Sequence, residues 1–223
     1  MRKLTKCFLG LALASAMSCA SAGAIFSATS ATINSGGPGS GSINNTFDQS
    51  GLSIGYTSGV TDFDTYLAGN PLHSTTFPGL EWFSNQDENF ASVTYNLGSL
   101  RNLDALALWN EEASGIGLLS LFGSTDGVNF SLIVDNLSPT DHAPGGTDYG
   151  ANVFTFGNVS AQYIRFDMNR CPQPLSAYNA CSIGEVAFRE APDTPTAVPE
   201  PAMIGLFSLG LGAAALARRR RKS

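Results

Sequence analysis

From Gly51 onward the chain alternates apolar and polar side chains in short runs, each closed by glycine, asparagine, aspartate or proline. A period of two sends successive side chains to opposite faces of a pleated strand, so each run predicts a strand with one face in a core. The clearest run is 163–168, where Ile164, Phe166 and Met168 share one face and Tyr163, Arg165 and Asp167 the other. Eight strands are predicted, over 52–56, 91–97, 103–109, 117–123, 130–134, 152–156, 163–168 and 183–189, and no stretch shows a sustained helical period. Short strands separated by turn residues predict an all-β sandwich.

Two longer apolar runs break the alternation, one near each end. Arg2, Lys3 and Lys6 precede the apolar stretch 8–17 and the small residues Ala20-Ser21-Ala22 and Ala22-Gly23-Ala24. That order predicts a secretory signal peptide over 1–24, removed by signal peptidase. At the other end Val198-Pro199-Glu200-Pro201 precedes the apolar stretch 202–217, and then Arg218, Arg219, Arg220, Arg221 and Lys222. At about 1.5 Å per residue this predicted transmembrane helix spans roughly 24 Å, short of the ~30 Å hydrocarbon core unless the flanking side chains snorkel. The basic cluster predicts a cytoplasmic end, with the domain held on the outer side of the inner membrane. The sandwich is thereby assigned to 25–190, followed by a Pro/Thr linker over 191–198 and the terminal segment 199–223. The glycine-rich stretch 35–42 is expected to be a flexible loop.

Setting the two ends aside changes the charge. Only Arg101, Arg165, Arg170 and Arg189 are basic between residues 25 and 197, against 17 acidic residues, so this part carries a formal charge of −13. Such a field repels nucleic acid and anionic polymers and favours cations and neutral partners. Cys7 and Cys19 leave with the signal peptide, which leaves Cys171 and Cys181 on either side of a turn-rich loop. Export to an oxidising compartment predicts a disulfide between them. Free thiols, or a metal site completed by His73 and His142, are the alternatives.

The tail resembles the PEP-CTERM sorting signal, in which a Pro-Glu-Pro tripeptide, a short apolar helix and an arginine cluster stand in this order at a chain's end. Val198, Pro199, Glu200, Pro201 and Arg218, Arg219, Arg220 and Arg221 carry the likeness. The resemblance implies recognition by exosortase, processing near Pro199-Glu200-Pro201, and a host that makes exopolysaccharide. The destination it implies is the cell envelope or extracellular matrix, after a transient stay in the inner membrane.

Four further patterns, in order, resemble the discoidin or coagulation factor type C class of galactose-binding-like jelly rolls. They are Val93-Thr94-Tyr95-Asn96-Leu97-Gly98, Ser124-Thr125-Asp126-Gly127-Val128-Asn129-Phe130, Gln162-Tyr163-Ile164-Arg165-Phe166 and Ile183-Gly184-Glu185-Val186-Ala187-Phe188. In the second, Asp126-Gly127 supplies the tight turn of a hairpin and Phe130 is expected to cap the core. The fold implied is a jelly-roll β-sandwich, and the likeness covers about residues 91–189.

In that family Glu185 matches a position at which some glycan-binding members place a calcium-ligating glutamate. Calcium takes six to eight oxygens, and Asp48, Asp62, Asp64 and Asp87 in the early loops are candidates to complete the set. Pairing of Glu185 with Arg165 or Arg189 is the alternative. Trp82 lies in Glu81-Trp82-Phe83-Ser84-Asn85, where an exposed indole with Asn85 beside it is expected to stack on a sugar ring, whereas Trp109 ends an apolar strand and is expected in the core. Asn110-Glu111-Glu112 opens a loop and offers ligands for hydroxyls or metal. No nucleophile, metalloprotease or cysteine-histidine signature occurs in the sequence. The expectation is a non-catalytic exported module that holds a neutral glycan, with calcium as its structural ion. A matrix protein without a small ligand and a concealed carbohydrate-active enzyme are the two other readings left open by the sequence.

Overall fold

The computed structural model describes residues 23–75, 79–145 and 147–192. The chain divides into the units Met1–Pro192 and Asp193–Ser223, and the described residues belong to the first. The signal peptide through residue 22, the linker from residue 193 and the whole segment 199–223 lie outside the described residues. Among the described residues no helix is long and apolar enough to cross a membrane.

Twelve strands are present among the described residues. They are β1 (Ile25–Phe26), β2 (Ser30–Ser35), β3 (Ser40–Gly41), β4 (Leu72–His73), β5 (Trp82–Phe83), β6 (Phe90–Trp109), β7 (Leu118–Ser124), β8 (Ser131–Leu137), β9 (Tyr149–Gly150), β10 (Asn152–Asn169), β11 (Ser182–Ile183) and β12 (Glu185–Glu190). The pairs 91–97 with 103–109, and 152–156 with 163–168, each expected as two strands, are single long strands, β6 and β10. They pair antiparallel along their length, with register shifts between Thr155 and Val159 and between Ala161 and Tyr163. Such irregularities bend a strand and increase its twist, which lets one hydrogen-bonded sheet fold back over itself.

The main sheet runs β1-β12-β6-β10-β7-β8, with β2 also on β6. Its first half joins β2, the start of β6, the end of β10, β7 and β8; the second joins β1, β12, the end of β6 and the start of β10. The main core lies between the halves, where Val93, Tyr95, Leu121, Ile164 and Phe166 meet Leu103, Leu106, Leu108, Val186 and Phe188. Tyr95 and Phe166 meet Phe188 edge-on, at 6.1 and 6.4 Å between ring centroids. In the second half the end of β6 and the start of β12 are buried on both faces: Ala105, Ala107, Trp109 and Ala187 turn outward onto Ile25, Phe63, Tyr66 and Tyr149. Burial on both faces explains why 105–109 reads as a continuous apolar run.

Phe63 and Tyr66 belong to a short helix, α1 (Phe63–Ala68), which the sequence pattern did not reveal. Six residues are too few to show a period, and a helix this short persists only through its packed face and its cap. Asp62 supplies the cap, its carboxylate accepting the Thr65 amide at 2.7 Å.

Three further expectations are corrected. Residues 52–56 are a loop with one bridge, Leu52 to His73, because the second sheet half is covered by α1 and loops instead of another strand. The glycine-rich stretch 35–42 is held by backbone pairing: β3 pairs with β5, and a Cβ on Gly39 would lie 1.8 Å from the Phe83 carbonyl oxygen. Glycine here permits backbone contact at φ +74°. Phe130 does not cap the core; half-buried, it lies 4.9 Å from the Arg165 guanidinium on the sheet's outer face.

Cys171 and Cys181 form the predicted disulfide, with Cα atoms 4.9 Å apart. Closing a loop of this size contributes about 2–3 kcal/mol, mainly through the unfolded chain. Replacing both cysteines by serine is therefore expected to lower the unfolding free energy by that amount in a urea titration. An unchanged midpoint would contradict it.

Candidate functional site

Four segments converge on a cleft of about 520 Å³ lined by Ser40, Phe83, Glu111, Glu112, Ala113 and Tyr178. The central pair Trp82–Phe83 sits in a small three-stranded sheet between β3 and β11. Residues on a strand alternate in direction, so Phe83 reaches the cleft and Trp82 turns the other way, into the main core. The loop after β6 closes around Asn110, whose side chain donates to Thr140 O and Gln173 Oε1 and accepts the Ile116 amide. That closure presents Ala113, whose carbonyl accepts the amides of Ala177 and Tyr178. The disulfide anchors both ends of the loop carrying Tyr178. The Tyr178 ring, 38% exposed, stands edge-on to the buried Phe83 ring with centroids 5.9 Å apart.

The carboxyls beside this aromatic pair are buried. Glu111 Oε2 accepts from the Ser114 amide at 2.8 Å and the Ser182 hydroxyl at 2.9 Å. Burial raises the Glu111 pKa, and the hydrogen bond and negative charge of Glu112 raise it further. Glu81, 1% exposed, is pushed up to about 7 by burial, with Glu112 adding to the effect. Behind these groups Tyr149 lies between the rings of His73 and His142, with centroids 5.2 and 5.4 Å away. The Tyr149 hydroxyl is 3.0 Å from His73 Nδ1, which also lies 2.9 Å from Ser74 O. Burial lowers the pKa of both histidines. Both histidines are thus neutral near pH 7, beside two carboxyls, Glu81 and Glu111, whose burial favours the protonated form. Glu111 and Glu112 are themselves almost fully buried, so the wall they lend to the cleft is largely apolar.

The structure brings some predicted site residues together and separates others. Trp82 is 1% exposed, and its ring N–H donates to Pro38 O at 2.9 Å, so the expected exposed indole is corrected to a core residue. Asn85 ties the glycine-rich strand down, donating to Gly37 O and accepting the Gly39 amide. The segment 81–85 does reach a cleft, but through Phe83. Trp109 is buried as expected and donates to Pro71 O. Tyr178 was missed because it stands in a polar loop with no pattern around it, although its place inside the cysteine loop was a usable signal.

Of the predicted calcium ligands, Glu185 and Asp48 are neighbours. Glu185 is fully buried, Oε2 accepts the Gln49 amide at 2.9 Å, and Oε1 has no partner among the described residues. Burial raises its pKa well above the carboxylate range, and the Asp48 charge adds to this. Its alternative pairing is not formed: Arg189 binds Asp104 and Asp64, and Arg165 binds Asp167. Asp64 is thereby engaged by Arg189, Asp62 caps α1, and Asp87 accepts from Asn179, so these three do not join Glu185. No group of three or more histidine, cysteine, aspartate or glutamate side chains suited to a metal ion occurs among the described residues. An orphaned buried carboxylate oxygen beside a second carboxylate nevertheless fits one side of a hard-cation site.

The segment 198–223, with its Pro-Glu-Pro and arginine cluster, was the sequence's most specific feature. Residues 197–222 match the PEP-CTERM protein-sorting motif. The PEP-CTERM tail marks the chain for export and for the envelope or the cell exterior, through an exosortase and signal-peptidase route. No curated protein matches the chain. Among solved structures, the chain is similar to chitosan-binding module 1 of a chitosanase/glucanase from Paenibacillus sp. IK-5, at 20% identity and a TM-score of 0.45, covering 73% of this chain and 95% of that one. It is also similar to the family 32 carbohydrate-binding module of NanJ from C. perfringens, solved with galactose, at 14% identity and a TM-score of 0.48, over 72% and 93% of the two chains. A pectin-binding carbohydrate-binding module aligns at 18% identity and a TM-score of 0.45, over 75% and 94%.

Proposed function

We propose that this PEP-CTERM protein is an exported, non-catalytic module that binds a neutral glycan in the cleft lined by Ser40, Phe83, Ala113 and Tyr178, against the exposed Tyr178 ring, and so associates with exopolysaccharide at the cell surface. The observation that carries the reading is the Tyr178 ring, 38% exposed, fixed edge-on against Phe83 on the wall of this cleft. An aromatic face stacks on the apolar face of a sugar ring, and the exposed Ser40 on the same cleft offers a hydroxyl that can exchange hydrogen bonds with it. The formal charge of −13 over residues 25–197 disfavours an anionic chain.

Calcium is the structural ion of this proposal. Glu185 and Asp48 would hold it, and its charge would keep the buried Glu185 ionised and brace the turn between Phe47 and Leu52. Affinity electrophoresis through gels containing dextran, galactomannan or xyloglucan tests both parts, with alginate as the anionic control. At least one neutral polymer is expected to retard the protein, alginate is not, and calcium is expected to raise the melting temperature of the wild type but not of Glu185→Gln. Absence of retardation by every neutral polymer, with and without calcium, would leave the protein a matrix component without a small ligand.

A further inference from the structure

The outer face of the first sheet half carries a second concavity, of about 560 Å³, apart from the cleft at Tyr178. Three neighbouring strands build it in register. Ser30 of β2 faces Asn96 of β6, which faces Tyr163 of β10; one step along, Thr32 faces Thr94 and Thr94 faces Arg165. Ser92 faces Asp167 in the third row. At about 4.8 Å between strands and ~3.4 Å per residue, these positions cover a floor roughly 10 Å by 14 Å.

The floor is polar and internally braced. Asn34 donates to the hydroxyls of Ser92 and Thr94, and Ser92 donates to Asp167 at 2.7 Å. Arg165 binds both oxygens of Asp167, at 3.0 and 3.1 Å, and its guanidinium lies over Phe122 and Phe130 at 4.3 and 4.9 Å. The one cation and one anion of the floor therefore neutralise each other. Phe90, 38% exposed, stands at one margin. At the other the hairpin tip brings Gly127 against the Tyr163 ring and leaves Val128 78% exposed. An Asp126 carboxylate that accepts the amides of Val128 and Asn129 fixes this tip.

We infer that this groove is a second glycan-binding surface, which takes several consecutive sugars of an extended, neutral polysaccharide chain. The occupant follows from the lining. Hydroxyls and amides in three rows match a ligand bearing hydroxyls along its length, apolar groups at the two margins match pyranose faces, and the balanced floor within an acidic domain excludes an anionic chain. A protein strand or a second copy of this chain would place backbone and apolar side chains on a floor that has no apolar centre. The inference rests on the proposed glycan reading, and it adds that the domain holds polysaccharide at two places and so links chains.

The test is affinity electrophoresis in whichever neutral polymer, dextran, galactomannan or xyloglucan, retards the wild type, with Thr94→Trp to fill the groove and Tyr178→Ala to strip the cleft. Thr32→Trp, at an exposed position on a strand that pairs only with β6, serves if Thr94→Trp does not fold. Each single variant is expected to weaken retardation by about tenfold, as removal of a principal contact does, and the double variant to abolish it at an unchanged melting temperature. If Thr94→Trp and Thr32→Trp migrate as wild type, and adding either to Tyr178→Ala changes nothing, the groove is overturned and the cleft stands. If Tyr178→Ala migrates as wild type while the groove variants lose retardation, the cleft reading fails and the groove stands.

Discussion

Between pH 6.5 and 9, in the presence of a calcium chelator, the domain is expected to lose at least about 3 kcal/mol of stability. Three buried carboxyls drive the loss: Glu81, pushed up to about 7, and Glu111 and Glu185, both raised by burial. In the unfolded chain each loses its proton near pH 4.5, while the folded protein retains it until the higher folded pKa is passed. The stabilisation is thus complete below the unfolded value and disappears as pH rises through the folded one. Each group contributes a slope of about 1.4 kcal/mol per pH unit while only its folded form is protonated. His73 and His142 act in the opposite sense, since their lowered pKa values withdraw stability only below the unfolded value near 6.5. The chosen window excludes them. Urea titrations at half-unit intervals should show a falling midpoint, flattened in Glu111→Gln and Glu185→Gln. A midpoint that is constant or rises toward pH 9 would contradict the protonated cluster.

The second large effect concerns Trp82. Trp82→Ala is expected to cost about 3–5 kcal/mol, because it removes a fully buried ring and leaves the Pro38 carbonyl without its N–H donor. Against a typical total of about 5–15 kcal/mol, that approaches loss of the fold. Tyr178→Ala, at a ring 38% exposed, is expected to change stability by less than about 1 kcal/mol. Paired melting curves separate the two. Equal effects would mean that Trp82 is not the anchor of the segment 81–85.

The contrast between the adjacent Trp82 and Phe83 shows what the sequence could and could not tell. Alternation identified the strands wherever one face meets the core, as in 163–168. It divided β6 and β10 because Gly98 and the stretch around Gly157 look like turns, whereas the structure uses them to bend continuous strands. It passed over β2, whose Ser, Ala, Thr and Asn give a weak hydrophobic signal, and that strand forms one wall of the polar groove. The residue run 81–85 was recognised as important from its composition, but which ring faces outward depends on the pairing of β5 with β3 and β11, a long-range fact. Glu185 stood out through resemblance to a family, and its burial beside Asp48 could not be read from spacing because Gln49 lies 136 residues away. Asp62 and Asp64 look like cation ligands in composition, yet a helix cap and Arg189 engage them locally.

The most direct test of the neutral-glycan cleft is the migration of Tyr178→Ala beside the wild type in a gel containing the neutral polysaccharide that retards the wild type. With the two melting temperatures equal, the variant is expected to show at least about tenfold weaker retardation, the loss typical of a central aromatic contact. Equal retardation of the two proteins would contradict the account.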